Sequence, residues 1–204
     1  MKLRYSSTSP YVRKVTICAA ELGLSERIER IATDPWDPAT DLVDDNPLGR
    51  VPALTTDEGD TLYDSAVICL YLDSLSDAQD LFPSGDNRWR VLRQHEMMNG
   101  VLDAGVAALI ERAKRPEDKI WPDWVEFQLG AIRRSLTVMD SEISELAAES
   151  LNIAQINTGV ALGYLDFRYA DMLDWRAEHQ ALAQWYETFS QRESMQSSVP
   201  VMPS

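Results

Sequence analysis

Residues 46–54 read Asn-Pro-Leu-Gly-Arg-Val-Pro-Ala-Leu. They close a loop rich in Asp, Pro and Asn that runs from Thr33 to Gly49, with room for one helical turn. Val51 to Thr55 then reads as a strand with a proline near its start, a position that a strand tolerates. Asp57-Glu58-Gly59-Asp60 is a hairpin turn, and Thr61-Leu62-Tyr63 is the return strand. Asp64-Ser65 opens a helix, with Val67, Ile68, Tyr71, Leu72 and Leu75 at helical spacing. Upstream, residues 2–5 alternate as a short strand. The hydroxyl cluster Ser6-Ser7-Thr8-Ser9 precedes Pro10, which puts Ser at an N-cap and Pro at the first helical position. Val12, Val15, Thr16, Ala19 and Leu22 share one face of that helix, and Gly23 ends it. Residues 27–32 form a second short strand. The order is β-α-β followed by β-β-α, which predicts a small mixed sheet with helices.

From Ser76 to Asn87 the chain is a polar linker containing Pro83, Ser84 and Gly85. Beyond it the reading is all helical. The expected division is a first domain over 1–78, a linker over 79–86 and a helical domain over 87–204. Helical spacing covers 87–115 and 117–148. Asn152-Ile153-Ala154-Gln155 fits a capping box, with Asn as the cap and Gln reaching back to the cap amide. Gly159 and Gly163, four apart on that helix, point to close helix packing. A last helix is expected from about Glu178 to Arg192, with Ser197–Ser204 as loop.

The composition narrows the function. With 204 residues, 45% of them hydrophobic and 25% charged, the chain can bury a sizeable core. Its net charge of −14 argues against a nucleic acid partner and against an anionic membrane surface. The charge is spread: residues 1–78 carry 7 basic and 14 acidic side chains, residues 79–204 carry 12 and 19. Neither part is an acidic tail. The two cysteines, Cys18 and Cys69, and the two histidines, His95 and His179, have no metal-ligand spacing, so no metal is expected. Both cysteines sit in apolar helical patterns, where a buried free thiol is expected. No apolar segment follows Met1-Lys2-Leu3-Arg4 to form a signal peptide. The longest uncharged run, Ser150 to Leu165, is too short and polar to span a bilayer. The default location is cytoplasmic.

Taken together the motifs resemble a known family. A strand, then Ser-x-x-Ser-Pro-Tyr-Val-Arg-Lys-Val from Ser6, then Asn-Pro-Leu-Gly-Arg-Val-Pro-Ala-Leu, then Leu62-Tyr63-Asp64-Ser65, then a helical half, is similar to a bacterial glutathione S-transferase. The resemblance covers nearly the whole chain. It implies an α/β thioredoxin-like N-terminal domain that binds glutathione, and an all-α C-terminal domain that lines the pocket for a small hydrophobic electrophile. It also implies a homodimer with the active site near the dimer interface.

The same resemblance assigns roles residue by residue. Pro52 is expected to be cis, which leaves the amide and carbonyl of Val51 to pair with an extended peptide, as glutathione offers through its cysteinyl backbone. Asp64 and Ser65 lie at a positive helix end that suits the γ-glutamyl group. Trp36 and Arg50 flank the glutathione motif and reach for the glycyl end. The thiolate is the nucleophile in such enzymes, and a donor near the sulfur stabilises it. Ser9-Pro10-Tyr11-Val12 lines up with the Cys-Pro-Tyr-Cys motif of glutaredoxins with both sulfurs replaced, which disfavours exchange through a protein cysteine. Ser6 lines up with the serine of zeta-type transferases. Ser9 is the first candidate for the thiolate donor, followed by Ser6, with Thr8 between them. Tyr5 reads as core. Arg13 is either a source of positive potential or a solvated helix residue. His95, Met98 and Leu102 form a helical stripe that serves either as core or as pocket lining.

Three functions share this fold, and the fold does not choose among them. The first is a transferase that conjugates glutathione. The second is a glutathione-binding stress protein with little turnover. The third is a glutathione-dependent isomerase or disulfide reductase.

Overall fold

The computed structural model describes residues 1–77 and 80–202. The chain forms two units, Met1–Phe82 together with Glu193–Ser204, and Pro83–Arg192. The first unit holds β1 (Lys2–Tyr5), α1 (Pro10–Glu21), β2 (Glu29–Ala32), α2 (Leu42–Asp45), β3 (Ala53–Thr55), β4 (Thr61–Leu62) and α3 (Ser65–Ser74). The second holds α4 (Arg88–Lys114), α5 (Pro122–Ala147), α6 (Ile153–Tyr169), α7 (Trp175–Glu178) and α8 (Gln180–Phe189). A short α9 (Glu193–Gln196) returns to the first unit.

The sheet order is β2-β1-β3-β4. β1 is central because Leu3 is buried between a parallel neighbour, Arg30, and an antiparallel one, Leu54. Parallel pairing of β1 with β2 needs a crossover, and α1 supplies it. Ser9 caps α1, and Pro10 occupies its first turn. At the other end Gly23 takes a positive φ of 70°, and the Leu24 amide closes back on the Ala19 carbonyl at 2.7 Å. The buried face of α1 includes Val15, Ile17, Cys18 and Ala19, and α3 packs against it with Ile68, Cys69 and Leu72. Cys18 and Cys69 are buried free thiols. Burial pushes the Cys18 thiol well up, and its hydrogen bond with Cys69 pushes it further. Strand ends differ slightly from the sequence reading. Ser25–Arg27 is a 3-10 turn before β2, and β3 starts at Ala53, after Pro52.

The loop before β3 is built by one side chain. Asn46, 2% exposed, donates through Nδ2 to the Arg50 carbonyl at 2.7 Å and accepts from the Leu48 amide at 3.0 Å. Its own carbonyl accepts from Gly49, whose φ of 59° suits glycine. Arg4 anchors the outer side of this loop, with Nε donating to Asp45 at 2.6 Å and a guanidinium nitrogen to Asp41 at 2.8 Å. The Arg4 hydrogen bond holds the Asp41 carboxyl below its ordinary value.

In the second unit α4 packs against both α5 and α6. Val91, Met98, Leu102, Ile132, Met139, Ile156 and Val160 are core. Gly105 of α4 permits a close approach, since a Cβ there would lie 3.0 Å from the Tyr164 ring. Three expectations change. Residues 117–119 are a separate 3-10 turn, and α5 begins only at Pro122, because Pro suits a first turn and not an interior. Glu111 holds that turn by accepting the Trp121 amide at 2.9 Å. Gln155 does not reach back to the cap amide. Asn152 caps α6 alone, and Gln155 Nε2 donates to the Leu146 carbonyl at 2.6 Å. The open carbonyls at the end of α5 need donors, and Gln155 provides one. The last helix divides at His179, whose φ of −131° and ψ of 76° are not helical. Asp140 of α5 accepts the Leu182 amide at 2.8 Å in the first turn of α8.

The helical unit ends at Arg192, not at 204. Residues after it return to α1, where Ser194 donates to Glu21 at 2.5 Å and a guanidinium nitrogen of Arg13 donates to the Met195 carbonyl at 3.1 Å. Residues 78 and 79, where the first domain and linker were expected to meet, lie outside the described residues.

Two measurements test this account. Replacing Asn46 by Ala leaves the Arg50 carbonyl and the Leu48 amide without their partner, and should cost about 1–3 kcal/mol in chemical denaturation. Asn46→Asp keeps the bond to Leu48 and should cost less. Glu142 of α5 accepts from Arg93 at 2.8 Å and from the buried Gln94 at 2.9 Å. Burial alone would raise its carboxyl, but these bonds outweigh it, and the group lies below its ordinary 4.5. Its contribution to stability is therefore present above 4.5 and lost as pH falls through the lowered folded value. The melting midpoint of Glu142→Gln should depend less on pH than that of the wild type between roughly pH 5 and pH 3.

Candidate functional site

The start of α1 and the turn before β3 share one apolar cluster. Val12, Leu42 and Val51 form it, with Tyr5 packed against them. Tyr5 thus acts as core, and Arg30 stacks over its ring at 5.3 Å. Val12 lies three residues after Ser9, so the cluster brings the hydroxyl end of α1 to the Val51 turn.

Ser9 has extended backbone angles (φ −77°, ψ 121°), and its Oγ accepts from the Val12 amide at 3.3 Å. Its own amide donates to the Ser6 carbonyl at 3.2 Å, which folds residues 6–9 into a tight turn. A hydroxyl that accepts one bond keeps its O–H for donation. The first turn of α1 carries no acidic side chain, so no carboxylate there offsets the positive helix end. Ser6, Thr8 and Ser9 are all half-buried. Ser7 differs, since its hydroxyl donates to the Val201 carbonyl at 3.0 Å.

The Val51-Pro52 peptide is cis, as the resemblance implies. The ladder between β1 and β3 ends at Arg4 opposite Ala53, so Val51 lies just beyond its end. Arg50 presents an exposed side chain, while Asn46 holds its carbonyl. Trp36 is also exposed, and its amide donates to Asp34 at 2.9 Å. Neither belongs to the cluster that joins Val12 to Val51.

Asp64 is the N-cap of α3, accepting from the Ala66 amide at 2.8 Å and from the Ser65 hydroxyl at 3.1 Å. Ser65 is the first helical residue and is 1% exposed. The two residues therefore divide the work. Asp64 is exposed and faces solvent, and Ser65 orients it from beneath.

This arrangement offers three kinds of recognition. A thiolate can sit at the positive end of α1 beside a hydroxyl donor. An extended backbone can pair at Val51. A zwitterionic head group suits the Asp64 carboxylate and the amides that open α3. His95, Met98 and Leu102 do not join the site; all three are buried core of the second unit, at 1%, 0% and 0% exposure. Among the described residues no group of His, Cys, Asp and Glu is placed to hold a metal ion. No described helix is long and apolar enough to cross a membrane.

Two residues carry more than their sequence positions suggested. Asn46 shapes the turn that delivers Arg50 and Val51, and the Asn-Pro-x-Gly pattern was its signal. Arg13 is 7% exposed and not solvated. It bonds residues 195 and 198, which nothing in the local sequence announces.

Known proteins share this architecture. The family described as "Glutathione S-transferase, N-terminal domain" matches residues 8–75, and "Glutathione S-transferase, C-terminal domain" matches residues 122–188. The chain is 32% identical over 203 residues to the uncharacterized GST-like protein YibF of Escherichia coli (strain K12), covering 98% of each. A glutathione transferase family member from Pseudomonas fluorescens Pf-5, solved with bound glutathione, superposes with a TM-score of 0.94. It is 42% identical over 98% of this chain and 99% of that one. A glutathione S-transferase from Methylobacillus flagellatus KT, also with glutathione bound, gives a TM-score of 0.91 at 37% identity. The match covers 98% of this chain and 99% of that one. With both halves of the fold matched and a relative aligned end to end, the chain belongs to the glutathione S-transferase family.

Proposed function

We propose that this protein binds glutathione and activates its thiol for attack on a small hydrophobic electrophile. The observation that carries the reading is the Val12–Val51 cluster, which brings the hydroxyl end of α1 to the turn at the cis-proline. Bound glutathione in the Pseudomonas fluorescens and Methylobacillus flagellatus structures supports the same ligand here.

In this reading the cysteinyl backbone of glutathione pairs with Val51. Its γ-glutamyl ammonium meets Asp64, and the γ-glutamyl carboxylate meets the start of α3. Arg50 and Trp36 border the glycyl end. The thiol loses its proton to water. Ser9 donates its O–H to the resulting thiolate, and the positive end of α1 adds to that stabilisation. Ser6 and Thr8 are the other donors within the same turn. The sulfur lone pair then forms a bond to the electrophilic carbon, and a leaving group departs or a double bond takes up the electron pair. Such conjugation is detoxification chemistry. Ser9 and Val12 stand where a redox protein of this fold would carry cysteines, which favours conjugation over exchange through a protein disulfide. The site of action in this reading is the cytoplasm.

The partner on the protein side is a second copy. Val67 and Leu70 of α3 are 47% and 48% exposed, and Tyr63 beside them is 38% exposed. An apolar patch of this kind on a small unit suits association. Sedimentation at micromolar concentration and moderate salt should show a dimer, and Val67→Glu with Leu70→Glu should shift it to monomer.

The thiolate donor is identified by titration. Thiolate absorbance of bound glutathione should rise at lower pH than the roughly 8.5 of a free cysteine. Ser9→Ala should move that titration back up, while Ser6→Ala leaves it in place. Loss of the cap also costs about 0.5–2 kcal/mol, so the comparison belongs where both variants are folded. Ser65→Ala should weaken calorimetric glutathione affinity by about 1–3 kcal/mol through the loss of its bond to Asp64. Titrations unmoved by both hydroxyl substitutions would assign the donor to Thr8 or to a backbone amide.

A further inference from the structure

The last described residues run back along α1 in reverse order. Ser194 bonds Glu21 near the end of the helix. Met195 and Ser198 bond Arg13, one turn from its start. Val201 then accepts from Ser7, inside the hydroxyl turn itself, at 3.0 Å. The spacing of these contacts describes a strap laid along the helix and fastened at both ends and in the middle.

Arg13 is the buried fastener. Its terminal nitrogen donates to the Met195 carbonyl at 3.1 Å and its Nε reaches the Ser198 hydroxyl at 3.4 Å. Both donors lie on one edge of the planar guanidinium, so a single rigid fork holds two points of the strap. Ser198 is itself fixed, donating to the Ser194 carbonyl at 2.7 Å. The bond at Ser7 commits the one hydroxyl of the turn that does not compete for the ligand. Ser7 lies between Ser6 and Thr8, so its bond sets the direction of the turn that presents Ser6, Thr8 and Ser9.

We propose that Arg13 is a positioning residue for thiol activation: it seats residues 193–202 along α1, and through Ser7 this strap holds the Ser6–Ser9 turn in its donating geometry. The proposal rests on the reading of that turn as the thiolate site. It differs from a purely structural role in one respect. Loosening the strap must change the environment of the bound sulfur and not only the melting temperature.

Three full-length variants test it: Arg13→Met removes the fork, Arg13→Lys keeps the charge on one prong, and Ser7→Ala removes only the bond to Val201. Amide exchange is followed by mass spectrometry in residues 4–12 and 193–202, and the thiolate of bound glutathione is titrated by absorbance. In Arg13→Met both segments should exchange faster together, by about fivefold or more, the factor expected for one lost net hydrogen bond. The bound thiol should titrate about half a unit higher than in the wild type, a roughly threefold change in its equilibrium. Arg13→Lys should fall between. Ser7→Ala should speed exchange in the turn while residues 193–198 stay protected, and it decides the matter if Arg13→Met does not fold. Faster exchange in the tail with an unchanged turn would overturn the proposal. So would a faster turn with an unmoved thiol titration. Failure of the underlying reading looks different. In that case wild-type protein does not lower the thiol titration at all, and exchange in the turn alone decides whether the strap holds it.

Discussion

The contact between Val12 and Val51 is the constraint on which the rest of the first unit depends. One residue belongs to a helix and the other to a turn at the end of a strand ladder, and both are almost fully buried. Burying two valines favours the contact by about 1.5–3 kcal/mol each. What matters more is direction. The contact fixes the start of α1 relative to the sheet, and it sets the distance between a helix end rich in hydroxyls and the turn that leads into β3. Leu42 completes the cluster from α2, and Arg4 holds α2 in place through Asp41 and Asp45. A core residue, an ion pair and a turn asparagine thus act on the same few ångströms of backbone.

The polar residues around this cluster show a consistent division. Those that shape the backbone are buried and paired, as with Asn46 and Ser65. Those left toward solvent keep unspent capacity, as with Asp64 and Arg50. A buried polar group without a partner is costly, so the protein spends its internal bonds on shape.

Much of this was legible in the sequence because its causes are local. Ser9 before Pro10, Gly23 after Leu22, Gly59 in the hairpin and Asp64 before α3 each announce a backbone state that few other residues permit. The order of strands and helices follows from the same punctuation. Other features depend on partners far away in sequence. Gln155 sits in a motif that predicts one local bond, yet its amide turns to donate to the open Leu146 carbonyl at the end of α5. Arg13 reads as a surface residue of an amphipathic helix until its partner, 182 positions later, is known. The break before α5 was visible in Pro122 and was overridden by the helical spacing on either side. Trp36 and Arg50 stand out in the sequence only by their place beside a motif, and both are exposed in the fold.

The path of the chain has a consequence for biosynthesis. The sheet, α1 and α3 are encoded early, but the segment that lies along α1 is encoded some 182 residues after Arg13. At ribosomal elongation rates this corresponds to a delay on the order of 10–40 s. During that interval the bonds from Arg13 to Met195 and Ser198 cannot form. The helical unit, residues 83–192, is made in the meantime. Maturation of the first unit is therefore a closing event: residues 194–201 can meet Glu21, Arg13 and Ser7 only after the helical unit has been made.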